Sequence, residues 1–172
     1  MNATSTLDRP HGGLLAWLAD RGIEHEVHTH PESFTARATA DAEGVDPRTF
    51  AKVVAVATAD GRHVLLVLDA SDRVDLRKAR RALETDDVRL LTEAELAAVV
   101  PDCEAGALPA VGPLFGLPMV ADFAVRDDPE ISFNAGTHRA SVRVDRAAWE
   151  AAAGVVYADL AADDEVPAWA RS

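Results

Sequence analysis

The chain has 172 residues, enough for one domain with a substantial core, and its 48% apolar composition is that of an ordinary globular protein. Its formal net charge of −12 excludes a surface that binds nucleic acid everywhere, because phosphate binding depends on neutralisation by Lys and Arg. The first residues lack a secretory leader, no apolar run is long enough to span a bilayer, and a single cysteine excludes an internal disulfide. We therefore expect a cytoplasmic protein with no membrane partner.

The first elements along the chain follow from leucine spacing and from capping residues. Leucines recur at helical spacing before Gly22, which predicts an amphipathic helix over residues 12–21. The alternating residues 23–28 predict a strand. Thr35 is placed to cap the Ala-rich helix that follows and that extends to about Gly44.

The middle of the chain predicts a hairpin and two capped helices. The valine-rich runs 51–59 and 64–68 flank Asp60-Gly61, which is a strong hairpin signal, and both strands are apolar enough to be covered on two faces. Asp75 can cap a helix that runs through Leu83. The sequence Thr92-Glu93-Ala94-Glu95 has the form of a capping box.

The last part of the chain predicts short strands around a long loop. Residues 101–118 contain four prolines and three glycines and form the longest irregular segment, of a kind that often lines a site. Asp145 caps a helix that contains Trp149. The acidic end, with Asp159, Asp163, Asp164 and Glu165, is predicted to be a loosely held tail. Strands are predicted over 88–91, 118–125, 131–134 and 140–144.

A local cluster of basic residues offers one candidate contact with RNA. Residues 73–81 place five basic side chains in nine positions. The same pattern is typical of a solvated helix face whose charge is balanced by Asp72 and Asp75. Both interpretations remain open at the level of sequence.

Lys52 is the first candidate for chemistry, because it precedes the most hydrophobic strand, where an ammonium group is costly to bury alone. The chain has only two lysines against fifteen arginines, so a lysine here can be required for its compact charge and flexible stem. The alternative is a strand-end lysine that reaches water or pairs with a structural carboxylate such as Asp122.

Two glycine-containing segments are the next candidates. Gly106, Pro109 and Gly112 would let backbone amides approach a ligand, as oxyanion and phosphate sites require, although glycine and proline also mark ordinary turns. The segment from Asn134 to His138 joins two predicted strands, so His138 would project from a turn at the end of a sheet. Its imidazole can position water, donate to an oxyanion or hydrogen-bond the loop.

Metal and thiol chemistry have weaker support. His25, His28 and His30 are dense, but His25 and His28 point to opposite faces of the predicted strand, and the six histidines show no matched thiolate or carboxylate pattern. Cys103 has no neighbour that would lower a thiol pKa. We predict no metal, no cofactor and no cysteine nucleophile.

These segments together resemble the YbaK/prolyl-tRNA-synthetase-associated domain. The resemblance rests on Lys52 before an apolar strand, on the Gly106 loop and on the Gly-x-His element Gly136-Thr137-His138, and it covers about residues 14–157 of a chain that we expect to be one domain, 1–172. His30-Pro31 followed by Phe34-Thr35 is similar to the family's His-Pro-x-x-x-Thr segment. The family loop carries a proline where this chain has Ala110.

The resemblance implies a mixed α/β fold with a curved, mostly antiparallel central sheet and flanking helices. It implies an aminoacyl-tRNA deacylase that hydrolyses mischarged tRNA in trans, with alanine on a proline tRNA as the leading substrate and a synthetase as a further candidate partner. Lys52 and His138 would act in catalysis, with Lys52 on the terminal nucleotide and His138 on the aminoacyl group or water. The implied substrate-binding residues are Thr35, Gly106, Pro109, Gly112, Asn134 and Gly136.

The rival hypothesis is a catalytically silent binding module of the same fold that docks on a synthetase or another protein. The charge of −12 and Ala110 both favour it, because the first opposes unaided tRNA binding and the second alters the site loop. A third hypothesis, hydrolysis of a smaller ester or amide, predicts turnover of free aminoacyl esters without tRNA.

Overall fold

The computed structural model describes residues 9–30, 32, 35–44, 46 and 49–163, which form five α-helices and eight strands. Short 3-10 helices also lie at Gly112–Phe115 and Phe123–Asp127. The α-helices are α1 (Gly12–Asp20), α2 (Ala36–Glu43), α3 (Leu76–Ala82), α4 (Glu93–Val99) and α5 (Arg146–Ala153). The strands are β1 (His25–Thr29), β2 (Phe50–Thr58), β3 (His63–Asp69), β4 (Val88–Leu90), β5 (Met119–Asp122), β6 (Glu130–Thr137), β7 (Ala140–Asp145) and β8 (Val156–Ala158).

The strands form one open sheet in the order β1-β7-β6-β2-β3-β5-β8, and β4 also pairs with β2. The pairs β1–β7, β6–β7, β2–β3 and β2–β4 are antiparallel, whereas β2–β6, β3–β5 and β5–β8 are parallel. This mixed, mostly antiparallel sheet with flanking helices confirms the fold class that the resemblance implied.

The two faces of the central hairpin belong to different cores, which explains why β2 and β3 are apolar along their whole length. Leu65 and Val67 join the core beneath α1 and α5. Leu66 and Leu68 face the opposite core, which α3 covers. A third, smaller cluster of Ala36, Ala40, Phe50 and Ala70 holds α2 over the beginning of β2.

Local capping signals determine where the helices begin. Thr35 accepts a hydrogen bond from the Ala38 amide at 2.9 Å, and Asp145 accepts one from Ala148 at 2.9 Å. Asp75 caps α3 through the amides of its first turn, and Thr92 and Glu95 form the predicted capping box of α4. These four predictions are confirmed, because side-chain acceptors compensate the unpaired amides of a helix start.

The predicted loose tail is wrong for residues 159–163, which directly follow β8 and its parallel pairing with β5. The Leu160 amide donates to Asp122 Oδ1 at 2.8 Å, and the Ala162 amide donates to the Arg73 oxygen at 2.7 Å. The Lys78 ammonium also lies 3.1 Å from Asp159 and 3.0 Å from Asp163. Asp164 and Glu165 lie outside the described residues. The pairing partners are distant in sequence, so local composition could not reveal them.

Candidate functional site

Lys52 lies in β2 with a half-buried side chain whose ammonium donates a hydrogen bond to the Asp72 main-chain oxygen. Burial lowers the pKa of Lys52, the Asp72 charge opposes this change and Arg73 adds to it. The alternative partner, Asp122, accepts from the Leu160 amide at 2.8 Å and from further backbone amides. Lys52 is therefore a partly desolvated cation that is hydrogen-bonded to the Asp72 main-chain oxygen and lies within the influence of the Asp72 charge.

A cluster of carboxylates surrounds the end of β3, next to the loop that contacts Lys52. Asp69 is only 7% exposed, and its pKa is raised to about 7, chiefly by burial. Neighbouring negative charges contribute to the same increase, from Asp128, Asp72, Asp122 and Asp46 in order of decreasing effect. Folding therefore favours the protonated form of Asp69, and the stability that this form contributes is lost as pH rises through about 7.

Replacing Asp69 by asparagine should remove this pH dependence. Wild type should lose about 2 kcal/mol of unfolding free energy, relative to Asp69→Asn, between pH 5 and pH 8. Urea unfolding at both pH values measures the difference. The exposed carboxylate of Asp86 provides the control, because Asp86→Asn should keep the wild-type dependence. An equal decrease in wild type and Asp69→Asn would contradict the assignment.

Asn134 lies on the same sheet face as Lys52, one strand away. In the parallel pairing of β2 with β6, Phe50 lies opposite Ser132. Side chains alternate between the two faces of a strand, so Lys52 and Asn134, each two residues further along, point to the same face of the sheet. Asn134 is 3% exposed, and its Oδ1 atom has no hydrogen-bond partner among the described residues. A buried acceptor without a donor is rare and calls for a ligand or water.

Glu43, at the end of α2, completes a buried group of polar side chains on this face. Ser141, the register partner of Asn134, donates from Oγ to Glu43 Oε1 at 2.6 Å. His30 Nε2 lies 3.4 Å from the same oxygen, and the Glu43 and His30 side chains are 6% and 3% exposed. Glu43 Oε2 has no hydrogen-bond partner within the described part of the chain. We refer to His30, Glu43, Asn134 and Ser141 as the polar cluster.

Glu43 and Ser141 are polar-cluster residues that the sequence analysis missed. The sequence did contain a signal for Glu43. It is the last residue of α2, where the negative end of the helix dipole disfavours a carboxylate. A residue type that local physics disfavours is a candidate for a role elsewhere in the fold.

The Gly106 loop and the segment 136–138 at the end of β6 are joined backbone to backbone, and we refer to the two segments as the joined loops. The predicted connection from Asn134 to His138 is wrong for residues 134–137, which continue β6 across an irregularity in its pairing with β7, so that only His138 lies in the turn. The Gly136 amide donates to the Ala107 oxygen at 3.0 Å, and the Glu104 amide donates to the Gly136 oxygen at 2.9 Å. Gly136 has φ +87°, and a Cβ there would lie 3.1 Å from His11 Cβ, so glycine fits both the backbone and the contact. The structure brings Gly106 and Gly136 together, but the Gly136 amide is already occupied.

His138 is tied to the same loop. Its Nε2 lies 2.8 Å from the Ala105 oxygen, so this nitrogen carries the proton, and its main-chain amide donates to Glu104 Oε1 at 3.2 Å. Thr137 donates to the same carboxylate oxygen at 2.8 Å. His138 is 5% exposed. These hydrogen bonds show that His138 fastens the Gly106 loop to the end of β6.

Pro109 and Gly112 are buried in the wall behind this loop. A Cβ at Gly112 would overlap the Leu117 carbonyl oxygen and lie 2.8 Å from Met119 Cγ, so its glycine is required by packing. Ala110, which departs from the family pattern, is fully buried, and its carbonyl accepts a 2.6 Å hydrogen bond from the Trp149 indole. Trp149 therefore anchors the loop at the position where the family has proline.

Replacing Trp149 by phenylalanine should release this anchor. The Ala110 oxygen would remain buried without its donor, which costs about 2 kcal/mol of unfolding free energy. Trp17 is the matched control, because its buried Nε1 has no partner among the described residues and Trp17→Phe removes no such bond. Equilibrium unfolding measures both variants, and hydrogen exchange at the Gly136 amide should accelerate only in Trp149→Phe. Equal losses of stability would contradict this role.

The remaining candidates have ordinary surroundings. Thr35 is the N-cap of α2, while Pro31, Ser33 and Phe34 of the same segment lie outside the described residues. Burial, with a smaller contribution from Asp102, raises the pKa of Cys103 to about 12, so its thiol is not poised as a nucleophile. No group of three or more His, Cys, Asp or Glu side chains in the described ranges is arranged to hold a metal, and none of the helices there is long and apolar enough to cross a membrane.

Comparisons with known proteins show which proteins share this fold. A scaffold protein from a study of epitope backbone grafting by computational design is 28% identical, with a TM-score of 0.78 over 93% of this chain and 99% of its own. A proposed trans-editing enzyme for prolyl tRNA synthetase is 25% identical, with a TM-score of 0.77 over 94% of this chain and 100% of its own. A hypothetical protein that is 19% identical shares the fold, with a TM-score of 0.77 over 87% of this chain and 99% of its own.

The sequence has no significant match among curated proteins. The family described as the aminoacyl-tRNA editing domain matches residues 30–152, which include the polar cluster, Lys52 and both joined loops. This match extends over more than half of the sequence and takes in every candidate site residue. The chain belongs to the aminoacyl-tRNA editing domain family.

Proposed function

We propose that this protein is an aminoacyl-tRNA deacylase that hydrolyses mischarged aminoacyl-tRNA in trans in the cytoplasm. The observation that supports it best is the half-buried Lys52 ammonium on the same sheet face as the polar cluster. Water adds to the ester carbonyl carbon, the bond to the ribose oxygen breaks, and the products are a free amino acid and a tRNA with its hydroxyl restored. Alanine on a proline tRNA is the leading substrate.

Lys52 binds the phosphate or sugar of the terminal nucleotide. Its ammonium now has a neutral carbonyl partner, Asp72, and a phosphate oxygen would replace it with a charge-assisted hydrogen bond. Partial burial strengthens that attraction, since solvent screens it less. The flexible stem lets the ammonium turn from the carbonyl to the substrate without movement of β2.

The joined loops hold the aminoacyl end of the substrate. The Gly106 loop and the segment 136–138 at the end of β6 form one hydrogen-bonded unit, which gives the fixed geometry that catalysis by placement requires. The Gly136 amide is occupied by Ala107, so other amides of this unit must contact the ester. His138 orients the aminoacyl group or water through the loop that it holds.

The reaction does not need a side-chain nucleophile. The Cys103 thiol has a pKa raised to about 12, so it stays protonated at neutral pH. Instead, a positioned water adds to the ester carbonyl carbon, and a ribose hydroxyl of the substrate assists it. Editing is needed because one methylene changes the binding free energy in a synthetase pocket by only about 1–3 kcal/mol, which is too little to exclude a similar amino acid.

The rival, a silent binding module of the same fold, is favoured by the net charge of −12. The basic segment 73–81 offers only partial compensation, because Lys78 is already paired with Asp159 and Asp163. Titration of tRNA at several salt concentrations separates the two functions. A deacylase should show a salt-dependent affinity, alone or with a synthetase present.

A panel of mischarged tRNAs tests the proposed function. Deacylation is measured with and without a synthetase, alongside free aminoacyl esters without tRNA. Turnover of one or a few mischarged species, well above the spontaneous rate, supports a deacylase and identifies its substrate. Turnover of free esters alone supports a small-ester hydrolase, and no turnover supports the binding module.

A further inference from the structure

Two oxygens of the polar cluster accept no hydrogen bond from any described residue. Glu43 Oε2 and Asn134 Oδ1 are both buried atoms without partners, although the other Glu43 oxygen is engaged by Ser141 at 2.6 Å. His30 Nε2 approaches that same engaged oxygen, at 3.4 Å, and not Oε2. No donor among the described residues therefore reaches these two oxygens.

The charge of Glu43 makes this arrangement costly as a purely structural one. Its side chain is 6% exposed, and a buried carboxylate is strongly unfavourable unless a cation compensates it. His30, 3.4 Å from Oε1, compensates this charge only when its imidazole is protonated, and it does so on the oxygen that Ser141 already engages. Its position at the last residue of α2 adds to the cost, because the C-terminal end of a helix favours positive charge. A neutral glutamine would donate as well as accept here without this penalty.

We propose that Glu43, with Asn134, binds the α-ammonium group of the aminoacyl ester and so restricts the enzyme to substrates with a free amino group. This inference rests on the proposed deacylase function. An ammonium supplies both the N–H donors that the two oxygens lack and the positive charge that the carboxylate needs. A water or a neutral hydroxyl would supply hydrogen bonds but no positive charge.

The placement agrees with the polarity of the substrate. The aminoacylated terminal nucleotide carries a negative phosphate at one end and a positive ammonium at the other. Lys52 and Asn134 are on the same face of neighbouring strands, and Ser141 brings Glu43 to the far side of Asn134. On this face, Lys52 can therefore meet the phosphate at one end of the substrate while Glu43 meets the ammonium at the other end.

The test compares the best mischarged tRNA with its α-hydroxyacyl counterpart, in which a hydroxyl replaces the ammonium at nearly the same size. We expect wild type to prefer the aminoacyl form by at least about tenfold in kcat/KM beyond the ratio of the spontaneous rates in buffer. Glu43→Gln, which keeps the side-chain volume, should lower kcat/KM for the aminoacyl form about tenfold or more and leave the hydroxyacyl form nearly unchanged. The exposed carboxylate of Glu24 provides the control, because Glu24→Gln should keep the wild-type preference.

Three outcomes would overturn the inference. One is a wild-type preference no greater than the spontaneous ratio, another is a Glu43→Gln variant that keeps the wild-type preference, and the third is an equal loss on both substrates, which indicates a structural role. If Glu43→Gln does not fold, Asn134→Ala provides a second test of the same pair. An Asn134→Ala variant that keeps the wild-type preference for the aminoacyl substrate would also overturn the inference. Absence of turnover on every aminoacyl-tRNA instead refutes the proposed function.

Discussion

Replacing Lys52 by alanine is expected to lower kcat/KM for deacylation at least about 100-fold. The variant removes the half-buried ammonium that we assign to the terminal nucleotide, and no other described lysine lies in β2. The unfolding free energy should change by only about 1 kcal/mol, because the lost bond joins Lys52 to one main-chain oxygen. Single-turnover deacylation and urea unfolding measure the two effects separately.

Arg62 provides a matched control for Lys52. It is also a cation on the β2–β3 hairpin that donates to a main-chain oxygen, that of Leu83, at 2.9 Å. Arg62→Ala removes this bond and the ion pair of Arg62 with Asp60 at 3.0 Å, all away from the proposed site, so deacylation should stay close to wild type even though at least as many contacts are lost. Lys52→Ala with wild-type activity, or equal losses in both variants, would refute the proposed role of Lys52.

Replacing Gly112 by alanine is expected to lower the unfolding free energy by about 3 kcal/mol. The new methyl group would overlap the Leu117 carbonyl oxygen, which is backbone and cannot rotate away, and would press on Met119 at 2.8 Å. Relief requires separating the loop from β5, whose residues are buried. Equilibrium unfolding in urea measures the loss.

Gly12 is the control for this substitution, because a Cβ at Gly12 has no atom within 4 Å. Gly12→Ala should change the unfolding free energy by no more than about 0.5 kcal/mol, and alanine is the better helix former. If the two alanine variants were equally stable, packing against Leu117 would not be what requires glycine at position 112.

Elements with strong local signals were predictable from sequence. The Asp60-Gly61 hairpin and the caps Thr35, Asp75 and Asp145 were all confirmed, since each depends on residues a few positions apart. The predicted strand 118–125 is instead a shorter β5 followed by a 3-10 helix, because Asp122 turns to cap that helix with a 3.0 Å bond to the Ala124 amide. The strand propensity of residues 123–125 led to the longer predicted strand.

The parts that sequence missed depend on long-range pairing. β8 joins the sheet only because β5 offers an edge, and the 2.6 Å bond between Ser141 and Glu43 spans most of the chain. The resemblance identified Lys52 and His138 as candidates, yet their roles stay predictions. Glu43 lay outside the family's short motifs and emerged only when its burial and partners were known.

The middle of the sheet also joins two halves of the sheet, β1-β7-β6 and β2-β3-β5-β8. β2 and β6 are in register only at Phe50–Ser132 and Ala51–Phe133, whereas β2 and β3 stay in register from Ala51 to Ala57. Lys52 belongs to one half, and Asn134 and His138 belong to the other. The proposed site therefore forms only when these two groups of strands pair, which is a non-local step that brings β6 to β2 across more than 70 residues of sequence.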